Sequence, residues 1–145
     1  MLTSLEILEE EAARLGIAVD YRTLHPDDPV DGLYVDLDKG KHKVILLNRH
    51  RSESRKVAAL AEEIGHHLAS YGNIIKQNTV TARKQERAGR KWAIQKLLPH
   101  YKLESLLRQN TETVEIADEL GVPEDFIWEA IQFYNTKSLQ TRMDI

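Results

Sequence analysis

The amino-acid sequence predicts one α+β domain, and three features carry that reading. An amphipathic helical stripe opens the chain, two short apolar runs flank a glycine-containing turn, and further helical stripes fill the remainder. With 145 residues, 41% hydrophobic and 30% charged, the chain can close one core and keep a polar surface.

Leu2 to Leu15 is predicted as the first helix, because Leu5, Leu8, Ala12 and Leu15 recur at helical spacing. Thr3 or Ser4 caps its start, Glu6, Glu9, Glu10 and Glu11 complement the positive end of its dipole, and Gly16 ends it. Gly16 to Leu24 is extended. His25 to Asp31, with Pro26, Asp27, Asp28 and Pro29, is a loop. Gly32–Asp38 and Lys43–Asn48 flank the turn Lys39-Gly40-Lys41-His42 and form a β-hairpin. Leu33, Val35 and Leu37 alternate with Tyr34, Asp36 and Asp38, which predicts that the leucine and valine face is buried. The continuous apolar run Val44–Leu47 suits a central strand. A polar connection, Arg49–Arg55, offers Ser52 or Ser54 as a cap.

From Arg55 to Tyr71, Val57, Leu60, Ala61, Ile64 and Leu68 form a second helical stripe, with Gly72 as its stop. A loop from Asn73 to Val80 leads to a third helix, Thr81–Leu98, ended by Pro99. Tyr101–Lys137 is expected to form short helices broken at Gly121 and Pro123, and Ser138–Ile145 a loose tail. The domain is thus expected to comprise a core over residues 1–100, an acidic helical lobe over 101–137 and a tail over 138–145.

Composition removes several classes of function. Cysteine is absent, which excludes disulfides, thiolate zinc fingers, iron–sulfur clusters and a cysteine nucleophile. A formal net charge of −3 excludes a globally basic nucleic-acid coat. No apolar run approaches the ~18 residues of a membrane span, and the acidic start argues against a signal peptide. A cytoplasmic protein with no membrane partner is the expectation.

The segment with chemical potential is Ala61-Glu62-Glu63-Ile64-Gly65-His66-His67. On a helix, residues four apart share a face, so Glu62 and His66 form one column and Glu63 and His67 another. Metallopeptidase helices of the HExxH type use this geometry: two ligands four apart hold zinc, and the glutamate after the first ligand is the general base. Here the frame reads Glu62-Glu63-x-x-His66, with glutamate in place of the first histidine. Carboxylate oxygen also binds zinc, so the column remains chemically competent. In isolation such a string is more often a solvated helix face whose pairs are worth about 0.2–0.5 kcal/mol each. Glu86 is the only carboxylate among seven basic residues between Lys76 and Lys96, and its ordinary role would be to pair with Arg90 one turn on. The basic run itself suits a solvated helix face beside the site, able to steer an acidic substrate.

Together, LAEEIGHHLASYG and RKQERAGRKWAIQKLLP resemble the ImmA/IrrE family of zinc-dependent metallopeptidases, over about Leu33 to Pro99. The resemblance implies a zincin-like fold in which Glu62, His66 and Glu86 hold the metal and Glu63 activates water. It also implies a phage-type transcriptional repressor as substrate, in an anti-repressor role on a prophage or related element. Glu62 departs from the family pattern. Two carboxylates would neutralise the charge of zinc, acidify its water less and suit manganese or iron better. The outcomes are a peptidase of altered metal preference, a weak one, or an inactive module that sequesters a protein partner; the leading expectation is a metal-dependent endopeptidase, with the inactive binding module as the alternative. Glu62→His would rebuild the usual ligand set. His67 is a stand-in ligand that helical phase points away from the Glu62–His66 column, and Tyr71 and His100 are candidate oxyanion donors more often found in packing roles.

The stretch Thr113–Ile127 has the outline of a helix-turn-helix, with Ala117 and Gly121 well placed. From Glu104 to Glu129, however, eight acids stand against one base, Arg108. That balance repels phosphate, so direct DNA binding is not expected and a protein-facing lobe is, with Trp128, Phe133 and Tyr134 supplying apolar contacts.

Overall fold

A computed structural model describes residues 1–23, 30–37, 41–70, 79–109 and 112–143, with residues 70, 79–85 and 137–143 described by backbone alone. The expected loop at 25–29, the turn at 39–40 and the segment from Tyr71 and Gly72 to 78 lie outside the described residues.

Helix α1 (Ser4–Arg14) opens with a capping box: the Glu6 amide donates to Thr3 Oγ1 and the Thr3 amide to the Glu6 carboxylate. Leu8 and Ala12 turn inward. Gly16, at φ 76°, supplies the left-handed residue that turns the chain from α1 into β1 (Ile17–Arg22). Strands β2 (Gly32–Leu37) and β3 (His42–Asn48) pair antiparallel, and β1 joins β3 in parallel, giving the order β1-β3-β2. The apolar run Val44–Leu47 therefore lies in the central strand, as its composition predicts.

The buried face of β2 is the reverse of the expected one. Register places Tyr34 opposite Ile45 and Gly32 opposite Leu47, and Ile45 and Leu47 are fully buried. Directly paired residues share a face, so Gly32 and Tyr34 look toward the helices. Leu33 and Leu37, 50% and 52% exposed, look away. Gly32 leaves space that Leu47 and Ala59 fill, and the Tyr34 hydroxyl reaches a histidine on the next helix; both favour this phase.

That helix, α2 (Glu53–Ser70), packs with α1 over the inner face of the sheet. Ser52 accepts the Arg55 amide at its start. Val57, Leu60, Ala61 and Ile64 are at most 2% exposed, whereas Leu68, expected in the same stripe, is 39% exposed at the far end. Helix α3 (Thr79–Leu97) crosses α2 at a point set by glycine. A Cβ on Gly65 would come within 2.5 Å of the Gly89 carbonyl oxygen, so α2 cannot carry a side chain there without parting from α3, and a Cβ on Gly89 would strike the His66 ring.

The lobe comprises α4 (His100–Gln109), α5 (Thr113–Leu120) and α6 (Glu124–Met143). Gly121, at φ 70°, closes α5 by donating its amide to Ala117. Ile116, Phe126, Ile127 and Ala130 bury into the same core as the rest of the chain. Helix α6 runs through the segment expected to be a tail and ends at Met143, since no glycine or proline follows Pro123 to break it. Among the described residues, no helix is long and apolar enough to cross a membrane.

Candidate functional site

The Gly65–Gly89 crossing brings the middle of α2 against the middle of α3, and α6 lies alongside. Between them is a cavity of about 770 Å³. Glu62 and His66 of α2 line it together with Glu86 of α3, so the three side chains singled out by the sequence share one cavity. Arg87, Arg90, Lys91 and Ile94 of α3 and Glu129, Gln132, Phe133 and Thr136 of α6 complete its wall.

The individual contacts differ from those of a metal centre. Glu62 Oε1 lies 3.1 Å from Arg90 Nη2, and the same guanidinium also donates to Glu129 of α6. Burial raises the Glu62 pKa, with Arg90 opposing and the Glu129 charge adding to the rise. On Arg90, burial works against the charge, but Glu62 and Glu129 outweigh it and raise the pKa. Helical spacing suggested Glu86 as the partner of Arg90; instead, Arg90 reaches across to α2 and α6.

His66 Nδ1 lies 3.4 Å from Glu63 Oε2, and its ring rests on the Gly89 backbone, where a Cβ would come within 2.8 Å of Nε2. The Glu63 contact raises the His66 pKa against burial, and the charges of Glu62 and Glu86 contribute in the same direction. Glu86 is thus electrostatically close while remaining exposed on the cavity rim.

His67 faces the opposite way. It is 5% exposed, and its Nδ1 lies 2.9 Å from the Tyr34 hydroxyl on β2. Burial lowers its pKa, and Lys43 adds to the effect. His100 begins α4, is exposed, has its ring centre 5.0 Å from that of Tyr134, and is not among the residues that line the cavity. Tyr71 lies outside the described residues.

A zinc site needs its donors converging at about 2.0–2.2 Å. Among the described residues, no three carboxylate or imidazole groups come together to hold a metal ion. The Glu62 carboxylate is engaged by a cation already in place. As arranged, the donor set does not fit zinc. The residue that spacing alone overlooked is Arg90; its surplus of positive neighbours was visible, but its partner Glu129 lies 39 positions away in sequence.

The family model for peptidase M78, the IrrE N-terminal-like domain, matches residues 12–131, spanning the sheet, both cavity helices and the start of α6. No curated protein matches the chain.

Proposed function

We propose that this chain, which belongs to the peptidase M78 family through its IrrE N-terminal-like domain, is a metallopeptidase-like protein that binds a protein partner without cleaving it. The observation that carries this reading is the ion pair at Glu62. In the HExxH frame this position supplies the first metal ligand; here it supplies a carboxylate bound to Arg90. The family resemblance points to a phage-type transcriptional repressor as the partner. Zinc is the metal the family would use, with Glu62, His66 and Glu86 as holders, Glu63 next to them and polarisation of a peptide carbonyl as the chemistry supplied. No step is assigned through it, because the donors do not fit.

Mixing the purified chain with a cognate repressor, with and without added zinc, tests the reading. Co-elution of intact repressor is expected in both conditions. Zinc-dependent fragments that vanish in a Glu63→Ala variant would overturn it. That outcome would favour the second reading, a metal-dependent endopeptidase using zinc, manganese or iron. What supports this second reading is that Glu62, His66 and Glu86 line one cavity.

A further inference from the structure

We propose that Arg90 is the resident cation of this site: it takes over the charge-neutralising role of a metal, so a divalent ion is accepted only when Arg90 is removed as well as Glu62 replaced. The inference rests on the non-cleaving reading above and names what keeps the metal out.

The guanidinium projects from α3 and joins Glu62 of α2 to Glu129 of α6. A planar fork suits two carboxylates approaching from different directions, whereas a metal ion needs them to converge. Glu62 is only 26% exposed, so its charge requires a partner. A divalent ion bound there would have to draw Glu62 away from Arg90. It would then face a freed guanidinium, with Arg87 and Lys91 on the same wall.

This alters the expectation for Glu62→His. The substitution supplies the family's ligand but removes the anion that Arg90 neutralises, while Arg90 stays. The site becomes more positive, and zinc is repelled more strongly than in the natural chain. Removing the arginine in the same variant lifts that barrier.

The test uses the full chain and zinc ion alone. Five variants are compared with wild type for zinc retained after equilibrium dialysis and for melting temperature in chelator: Glu62→His, Arg90→Gln, Glu62→His with Arg90→Gln, Glu62→His with Arg90→Lys, and Glu62→Gln with Arg90→Gln. Glu62→His alone should retain no tight zinc. The pair with Arg90→Gln should hold about one ion per chain, roughly 100-fold tighter than the single variant. The pair with Arg90→Lys should behave like Glu62→His, because the positive charge remains. Arg90→Gln alone should lower the melting temperature by about 3–6 °C, and adding Glu62→Gln should recover most of that loss, since the half-buried Glu62 charge is then no longer left without its cation.

Tight zinc in Glu62→His alone would overturn the proposal, and so would a folded Arg90→Gln pair that gains none. The single variant keeps Arg90 and Glu129, so it reports even if the pair fails to fold. Zinc retained by wild type would overturn both this proposal and the non-cleaving reading, whereas tight zinc confined to Glu62→His would overturn the proposal alone.

Discussion

Glu62 and His67 sit on one helix and meet opposite surroundings. Glu62 faces α3 and α6 and is held by Arg90, while His67 faces the sheet and is held by Tyr34. Burial, with help from Lys43, keeps the His67 pKa below its ordinary 6.5, so the fold stabilises the neutral ring. A depressed folded pKa gives a contribution that is full above pH 6.5 and is lost as pH falls through the folded value. His67→Gln should therefore lose less stability than wild type between about pH 7 and pH 5, measured by urea unfolding. Equal losses would contradict this assignment. Helical phase alone placed His67 off the Glu62–His66 column, because it depends only on the 3.6-residue repeat. The engagement of Glu62 was not legible: it depends on where a long arginine on α3 points and on Glu129 of α6.

Between elements, the α2–α3 crossing fixes the cavity. Gly65 faces the Gly89 backbone directly, so Gly65→Ala must push the helices apart. It should destabilise the protein by about 1–3 kcal/mol in urea titration; an unchanged midpoint would contradict the close crossing. Neither glycine announced itself in the sequence, since a glycine within a helical stripe carries no label of what it touches. Strand β2 teaches a related lesson. Alternation showed that Leu33, Val35 and Leu37 share a face, but not which face meets α2; the pairing of Tyr34 with Ile45 decides that. Leu37→Thr should then shift stability by less than about 0.5 kcal/mol, while truncating buried Ile45 to Ala should cost about 2–5 kcal/mol. A large loss at Leu37 would restore the expected orientation.

At the scale of the molecule, order and class of the elements were legible because caps, stripes and glycine stops agree with one another: Thr3, Gly16, the Val57–Ile64 stripe and Gly121 all act where local chemistry places them. The C-terminal lobe keeps the helix, glycine turn and helix of a DNA-reading motif, yet Glu124, Asp125 and Glu129 of α6 are acidic, and two of them pair with Arg55 of α2 and Arg90 of α3. A gel-shift assay at about 150 mM salt should show no sequence-specific DNA retention; retention abolished by altering Glu124 to Ile127 would contradict a protein-facing lobe. The same Arg90 that ties α6 to α2 sets the balance of charge around Glu62, so metal content reports on the whole arrangement. Wild-type protein saturated with zinc and dialysed into metal-free buffer should retain well under about one ion per chain by atomic emission, with His66 and Glu86 unable to hold it alone. Retention of about one tightly held zinc per chain would show that Glu62 leaves Arg90 for a metal, and would contradict a site closed by its own arginine.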